Sequence, residues 1–360
     1  MTRSECAHAG ETDEGSCVPL DSLVLEPGIA TEYSWITELP LQEYLRSRRT
    51  LDNERIYFPL GYPVSVACNS DLVLEAADQS WSDFQAMFHD EPLAFQLEVK
   101  TGAKLSDALP PSPTHMLQGS LLLQMADREN FFIADLKRGR AMGRVTPGAA
   151  ACPRYLRYFF LEAAALSMIS ARRAVAVHGA CVRAGGKGVL LCGDSGEGKS
   201  TLAYAGAREG WTYVSDDATY IPIDREDRLA IGNCTRVRFR PSGVTLFPEL
   251  AGRPITPRAA GKPSIEVLTS EWPAIATASA TRVDHIVFLN RRFVDTQDLV
   301  PLRTSSVLPW FKQHLISPPE LRPAQESTLD RLLSAGLFEL RYRDLGWAIE
   351  RINELARKGN

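Results

Sequence analysis

The stretch Leu190–Ala203, LLCGDSGEGKSTLA, decides the predicted fold of this 360-residue chain. Its central part, Gly193–Ser200, matches the phosphate-loop pattern G-x-x-x-x-G-K-[ST]. An apolar run typical of a strand precedes the pattern, and a run typical of a helix follows it, which is the order that the motif requires. The bare pattern arises by chance in a chain of this length on the order of 1% of the time. We therefore predict an α/β fold that binds a nucleotide at this loop.

Each part of the loop has a physical task. Its glycines reach backbone angles that point successive N–H groups into one concavity, and the helix that follows adds its partly positive N-terminus. Lys199 would place a positive charge on the β- and γ-phosphates, and the Ser200 hydroxyl would reach Mg²⁺. The predicted nucleotide contacts are Gly193, Asp194, Ser195, Gly196, Glu197, Gly198, Lys199, Ser200 and Thr201.

Two adjacent carboxylates, Asp216 and Asp217, follow the short strand-like run WTYVS. Phosphoryl transfer needs a carboxylate near the metal and often a base for the attacking hydroxyl, and two carboxylates at a strand end can divide these tasks. The alternative is a solvated turn, where aspartate is common. His178 lies inside the apolar run AVAVHGACV. It is either a core histidine or, if the chain brings it beside the loop, a contact to phosphate or aspartate.

Three regions are predicted along the chain. Residues 1–32 are acidic and aperiodic, which indicates poor order. Residues 33–150 alternate strand and helix patterns and form a smaller α+β domain. Residues 151–360 form the nucleotide-binding domain. This domain is expected to begin with a buried helix over Cys152–Arg173 and to contain a hairpin that turns at Gly185-Gly186.

Composition excludes several classes of function. The net charge of −4 gives no indication of nucleic-acid binding, and no apolar run approaches the roughly 18 residues of a membrane-spanning helix. The first residues are polar and acidic, so we expect a cytoplasmic protein. The seven cysteines form no CxxC pair, and the six histidines are scattered. Reduced thiols are therefore expected, and a zinc site is not.

The order of elements over residues 177–217, VHGACVRAGGKGVLLCGDSGEGKSTLAYAGAREGWTYVSDD, resembles the C-terminal kinase domain of the HPr kinase/phosphorylase family. That family has a histidine-bearing strand, a hairpin, a phosphate loop, a helix ending in glycine and a strand ending in Asp-Asp. Here His178 precedes Gly193 by 15 positions, and Ser200 precedes Asp216 by 16. A looser likeness continues through DHIVFLNRR to the C-terminal LFELRYRDLGWAIERINEL.

The resemblance implies a P-loop core of the HPr kinase/phosphoenolpyruvate carboxykinase type and an ATP-dependent phosphorylation of a hydroxyl, usually that of a serine. It implies that Lys199 neutralises phosphate charge, that Ser200 and Asp216 serve Mg²⁺, that Asp217 is the base and that His178 helps to hold the phosphates. The glycine-rich stretch that engages the carrier protein in HPr kinases is replaced here by RVRFRPSGVTLFPEL. The acceptor is therefore left open as a peptide, a protein or a small molecule.

Two other functions compete with a kinase. One is a nucleotide-responsive binding module without transfer, which would need only the loop, and the other is a carboxykinase-like enzyme, which would need metal-binding His and Lys residues. The region before residue 150 would recruit substrate or form a homo-oligomer. Further charged candidates lie on one predicted strand face or at a strand end and would contact transferring charge or solvent: Arg236, Arg238, Arg240, Arg291 and Arg292. The other histidines, His115 and His314 among them, are assigned no role.

Overall fold

The computed structural model describes residues 51–102, 108–256, 263–272, 274–292, 296–315 and 317–358. These residues form a mixed α/β structure with three sheets, which confirms the α/β part of the predicted fold class, while the type of nucleotide-binding core stays a prediction. The segment 1–32, predicted to be poorly ordered, lies outside them, and the domain boundary near residue 150 stays a prediction. Among the helices of the described ranges, none has both the length and the apolar composition that a membrane span requires.

The first sheet has seven strands: β1 (Asn53–Tyr57), β2 (Val64–Cys68), β3 (Leu93–Val99), β4 (Thr114–Gln118), β5 (Leu121–Met125), β6 (Phe131–Asp135) and β7 (Arg140–Val145). Their order is β1-β2-β3-β7-β6-β5-β4, with β2, β3 and β7 parallel. Strand β3 buries every second side chain, as the alternation in LAFQLEV predicts. The helix α1 (Asp71–Trp81) joins the core of this sheet through Val73, Ala76 and Ala77.

The segment predicted as one buried helix contains a π-turn. After α2 (Pro147–Ala150), the chain forms α3 (Pro153–Leu156), a π-turn (Arg157–Leu161) and α4 (Glu162–Arg172) without a break. The α4 helix contributes its apolar face to the core of the first sheet. A π-turn inserts an extra residue into a helix and is frequent at functional sites. Here it lies immediately before Glu162.

The second sheet has nine strands: β8 (Ala174–Val177), β9 (Ala180–Ala184), β10 (Lys187–Cys192), β11 (Thr212–Ser215), β12 (Thr219–Pro222), β13 (Leu229–Gly232), β17 (Ala280–Asn290), β18 (Asp298–Pro301) and β19 (Gly336–Arg341). The order is β11-β9-β10-β17-β13-β12-β8, and β19 pairs with both β17 and β18. Strands β10, β17 and β19 are mutually parallel, so their carboxyl ends meet at one edge. A third, small sheet contains β14 (Arg236–Phe239), β15 (Ile255–Thr256) and β16 (Ser264–Leu268).

Helices cover both faces of the second sheet. Four helices follow the strands described above: α5 (Lys199–Arg208), α6 (Thr304–Gln313), α7 (Arg322–Leu332) and α8 (Leu345–Arg357). Along β10, Val189 and Leu191 join a core with α5 and α8, while Leu190 and Cys192 join a second core with α6 and α7. A strand buried on both faces is expected to be apolar throughout, as GVLLC is. The predicted hairpin at Gly185-Gly186 and the helix beginning at Lys199 are both present.

The chain leaves a strand and enters another at two places that hold candidate site residues. AVAVHGACV divides into β8 and β9, and His178 lies at the break instead of inside a strand as predicted. Strand β8 pairs with β12, whereas β9 pairs with β10 and β11, so the chain changes neighbours at this point. Gly179 allows the change, because a Cβ there would lie 2.9 Å from the Leu191 carbonyl oxygen. Asp216 and Asp217 lie at the matching break between β11 and β12.

Candidate active site

The loop Gly193–Gly198 connects the carboxyl end of β10 to the first turn of α5. Gly193, Gly196 and Gly198 have φ values of 134°, 102° and 95°, which other residues rarely adopt. Gly198 is also closely enclosed, because a Cβ there would lie 2.7 Å from the Tyr342 hydroxyl. The loop therefore has a shape that depends on glycine, and it delivers the unpaired N–H groups of a helix N-terminus to one point.

The ends of the neighbouring parallel strands hold the loop in place. Glu197 is buried, and its carboxylate accepts a hydrogen bond from the Arg291 backbone N at 2.7 Å and pairs with Arg292 Nε at 2.8 Å. Arg292 also donates to the Ser195 carbonyl at 2.8 Å, and the Tyr342 hydroxyl donates to the Glu197 carbonyl at 3.0 Å. The Glu197 side chain therefore anchors the loop, which leaves its main chain for any contact to phosphate. Arg291 and Arg292 are thus brought to the loop, as the sequence allowed.

Lys199 lies inside the curve of the loop. Its Nζ donates to the carbonyl oxygens of Gly193 at 2.6 Å and Asp194 at 3.1 Å, and the residue is buried. Burial lowers the pKa of Lys199 from its ordinary value, while the nearby Cys192 and carboxylates act in the opposite direction. Thr201, two positions further on, lies in the first turn of α5. The positive charge of the motif is thus held at the loop by the loop's own carbonyl oxygens.

The two strand breaks bring the acid pair to the loop helix. The Ser200 hydroxyl donates to the Asp216 carbonyl at 3.4 Å, and His178 Nδ1 lies 3.2 Å from the Asp217 carbonyl oxygen and 3.8 Å from its Oδ1. The two carboxylates have different surroundings. Asp216 is buried, and its Oδ2 accepts a hydrogen bond from the Arg238 backbone N at 2.8 Å. The Asp217 side chain is 42% exposed. One carboxylate is fixed, and the other is accessible.

His178 is an electrically neutral neighbour of this pair. Burial is the largest influence on its imidazole, and the Lys199 charge is the next, so its pKa is lowered from 6.5. The Asp217 carboxylate works against this shift. A neutral imidazole keeps one ring nitrogen as a donor and one as an acceptor. The His314 ring lies with its centroid 6.3 Å from that of His178.

Two further side chains contact the loop: Arg240, which was among the charged candidates, and Trp310, which was not predicted. Arg240 Nη2 donates to Ser195 Oγ at 2.7 Å, and Trp310 Nε1 donates to Asp194 Oδ1 at 3.4 Å. The assignment of no role to His314 overlooked its position beside His178. Trp310 and His314 lie four positions apart on α6 and the residue that follows it, with ring centroids 4.4 Å apart. No local motif marks them, because only the fold brings this helix to the loop.

The two predicted Mg²⁺ ligands, Ser200 and Asp216, are brought together less fully than the rest of the predicted site. Ser200 and Asp216 lie together, but the contact that joins them goes to the Asp216 carbonyl. Across the described ranges, no cluster of three or more His, Cys, Asp or Glu side chains is arranged to hold a metal ion. A magnesium site of the P-loop type does not need such a cluster, because phosphates and water supply most of its ligands.

Comparison with known proteins gives similarity to solved structures alone. No family model matches the chain, and no curated protein matches it. Among solved structures, the chain is similar to the HPr(Ser) kinase/phosphatase from Coxiella burnetii, with 12% sequence identity and a TM-score of 0.30 over 51% of this chain and 99% of that chain. A shared activity does not follow from a similarity at this level.

Proposed function

We propose that this protein is a P-loop phosphotransferase that transfers the γ-phosphoryl group of ATP to a hydroxyl of the serine type. The observation that carries the proposal is that the glycine-rich loop and the acid pair lie next to each other. The glycine-shaped loop Gly193–Gly198 leads into a helix whose Ser200 contacts Asp216, and the next residue, Asp217, is accessible and lies beside His178. A binding module would need the loop but not the acid pair.

The residues at the loop fit a nucleoside triphosphate. Backbone N–H groups at a helix N-terminus and in a glycine-rich loop favour phosphate oxygens. Lys199 has three N–H donors, of which two go to loop carbonyls, so one remains for phosphate. The hydrogen bonds from Arg240 and Arg292 to Ser195 keep further positive charge at the same loop. These groups would neutralise a polyanion and hold its terminal phosphate in place.

The residues also fit a magnesium ion in the P-loop manner. Ser200 and Asp216 are the residues that would hold it, since a hydroxyl and a carboxylate provide the oxygen ligands that Mg²⁺ prefers. When bound, Mg²⁺ would neutralise charge between the β- and γ-phosphates. The hydrogen bond from the Arg238 backbone N to Asp216 Oδ2 orients this carboxylate.

Asp217 would act as the base. The acceptor oxygen attacks the γ-phosphorus, its proton passes to the Asp217 carboxylate, and the bond between the γ-phosphorus and the bridging oxygen breaks as ADP leaves with the electron pair. A neutral His178 at 3.8 Å from Oδ1 can orient the carboxylate without taking its proton-accepting role. The exposed fraction of Asp217 gives an acceptor access to it.

Substitution of Asp217 by Asn tests the base. Wild type and Asp217→Asn are incubated with Mg²⁺, γ-labelled ATP and an extract of peptides and metabolites, and labelled products are identified by mass spectrometry. We expect transfer by Asp217→Asn to fall by about 10²–10⁴-fold, the usual contribution of general base catalysis, while ATP affinity stays near wild type. Asp224→Asn is the control, because Asp224 is an exposed turn residue. It should transfer at the wild-type rate.

The same experiment separates the competing functions. Equal transfer by wild type and Asp217→Asn would remove Asp217 as the base. Tight ATP binding that depends on Lys199, with no phosphorylated product in any extract, would instead identify a nucleotide-responsive binding module. Lys199→Met should weaken ATP binding measured by calorimetry, and ATP binding equal to wild type would contradict the proposed phosphate site itself.

A further inference from the structure

Asp217 also lines a cavity of about 490 Å³. The walls come from segments that are distant in the chain: the hairpin of β4 and β5, the helix α4, the small third sheet, and Leu315 beyond α6. Cavities of about 300–1,000 Å³ are typical of small-molecule sites, and such sites combine an apolar lining with a few placed polar groups. The carboxylate proposed as the base therefore faces both the loop side of the site and this cavity.

Much of the cavity wall is aliphatic. Leu117 and Leu122 line it from the β4–β5 hairpin, and Ala163 and Leu166 line it from α4. None of these four is fully buried, and Leu117 is 37% exposed. Apolar surface that converges on a cavity favours a ligand with an apolar body, because burial removes that surface from water.

Three charged side chains on the wall, Glu162, Arg238 and Glu266, are joined in ion pairs. Within the described part of the chain, Arg238 is the one permanently positive side chain of the wall, and it pairs with Glu266 at 2.8 Å and Glu162 at 3.6 Å. Glu266 pairs in addition with Arg236 at 2.9 Å. Burial alone would raise the pKa of Glu266, but the two guanidinium groups outweigh burial and lower it to about 2. An anionic ligand would meet Asp217 here and a guanidinium that is already paired.

Two of the uncharged polar side chains on the wall have a buried oxygen without a hydrogen-bond partner among the described residues. Gln325 donates from Nε2 to the Ser170 carbonyl at 2.9 Å, and its Oε1 is buried without a hydrogen-bond partner among the described residues. Ser264 Oγ is likewise buried and has no partner in the described chain. A buried oxygen without a donor is costly, and a hydroxyl or amide of a ligand would supply one. Both residues line the cavity.

We propose that this cavity is the acceptor site and that the acceptor is an uncharged small-molecule alcohol with an apolar body. The inference rests on the proposed function and specifies its substrate class. The acceptor hydroxyl lies at Asp217, which takes its proton as the oxygen forms a bond to the γ-phosphorus of ATP and ADP leaves. The body of the acceptor lies against Leu117, Leu122 and Leu166. A serine on a folded protein would reach Asp217 without filling this space.

A series of primary alcohols tests the proposal on the full-length protein. Ethanol, 1-butanol, 1-hexanol and 1-octanol carry the same hydroxyl on bodies of increasing length, and mass spectrometry measures their phosphate monoesters formed from Mg²⁺ and ATP. We expect kcat/KM to rise about fourfold per CH₂, which corresponds to about 0.8 kcal/mol for each buried methylene, until the cavity is full. We expect 6-hydroxyhexanoate to be at least about tenfold poorer than 1-hexanol, because its carboxylate would be desolvated without a partner.

Two substitutions change the size of the cavity in opposite directions. Ala163→Leu reduces its volume, and we expect kcat/KM for 1-hexanol to fall about tenfold, mainly through KM. Ala324→Leu makes the same change at an exposed position on α7 outside the cavity, and it should have no effect. Leu166→Ala enlarges the cavity and should move the optimum towards longer alcohols. That shift is measurable even if Ala163→Leu fails to fold.

The outcomes distinguish the inference from the function on which it rests. A transfer rate independent of alcohol length, or an optimum unmoved in Leu166→Ala, would overturn the cavity as the acceptor site while leaving the kinase in place. Equal labelling of a serine peptide by wild type and Ala163→Leu, with no labelling of any alcohol, would show a macromolecular acceptor bound outside the cavity. Absence of Lys199-dependent ATP binding would contradict the proposed function and the inference with it.

Discussion

The loop Gly193–Gly198 and the cavity lie on two sides of Asp217, and their charged groups are arranged in opposite ways. At the loop, main-chain donors and the Lys199 ammonium are gathered towards one point, and the Glu197 carboxylate is turned into the protein. At the cavity, Arg238 is bonded to carboxylates and the surface between them is aliphatic. A polyanion is favoured on the first side and an uncharged body on the second. This difference would keep the phosphoryl donor and the acceptor apart until both reach Asp217.

The two regions are also stabilised differently. Three neighbouring parallel strands hold the loop by their carboxyl ends, so its support is local to one edge of the second sheet. The cavity wall depends on an ion network that joins α4 to the third sheet through Glu162, Arg238, Glu266 and Arg236. Breaking the network should therefore affect the stability of the fold, whereas altering the loop should affect nucleotide binding.

The largest effect is expected from Glu266→Gln, which removes the shared carboxylate of the network. Arg236 and Arg238 would keep mostly buried positive charges that Glu162 alone cannot balance. We expect the free energy of unfolding to fall by about 3 kcal/mol, as when one partner of a buried ion pair is removed. Urea denaturation at pH 7 measures this change. Glu326→Gln is the matched control, because Glu326 pairs with Lys312 at the surface, and the substitution should cost less than about 1 kcal/mol.

The effect of Glu266→Gln should depend on pH in a known direction. The pKa of Glu266 in the folded protein is about 2, below its ordinary value of 4.5. A carboxylate whose pKa is lowered by folding stabilises the folded state at pH values above its pKa in the unfolded chain. This contribution is lost as pH falls from about 4.5 towards 2. The difference in unfolding free energy between wild type and Glu266→Gln should shrink over that range. A difference that is constant from pH 7 to pH 3 would contradict the charged network.

The sequence predicted the loop well, because its information is local. The pattern Gly193–Ser200, the strand before it and the helix after it are contiguous, so periodicity and glycine positions were sufficient. The sequence was compatible with a contact between His178 and Asp217 but did not predict it. The contact depends on where the strands end and change neighbours, and the His178-Gly179 step in AVAVHGACV does not specify which strands pair with each half of the run.

The cavity could not be predicted from the sequence. Leu117, Ala163, Arg238 and His314 lie on separate elements, and each has an ordinary local reading as part of an apolar strand, a helix face or a charged strand. Arg236 and Arg238 were expected to share a strand face, and both do pair with Glu266. Their partner lies in β16, and strand pairing over that distance leaves no mark in the composition of either segment.

A smaller effect is expected from Gly198→Ala, which tests the loop alone. Both Gly198 and Gly210 have positive φ, at 95° and 98°, so alanine should destabilise the protein by about 1–2 kcal/mol at either position. Only at Gly198 would the new Cβ collide with the Tyr342 hydroxyl, since nothing lies within 4 Å at Gly210. We expect ATP affinity to fall about tenfold or more in Gly198→Ala and to stay unchanged in Gly210→Ala. Calorimetric titration compares the two, and equal affinities would show that the loop shape does not matter for nucleotide binding.

The smallest effects are expected in the titration of His178, which lies between the two regions. Burial and the Lys199 charge lower its pKa below 6.5, while Asp217 raises it. Lys199→Met should therefore raise the pKa of His178, and Asp217→Asn should lower it further. NMR of the imidazole resonances follows both, with the His178→Gln spectrum assigning the signal. Shifts of the same sign in the two variants would contradict the arrangement, because opposite charges that act on one ring must move its pKa in opposite directions. A histidine kept neutral in the folded state also makes stability fall as pH drops below 6.5, where the unfolded chain takes up the proton first.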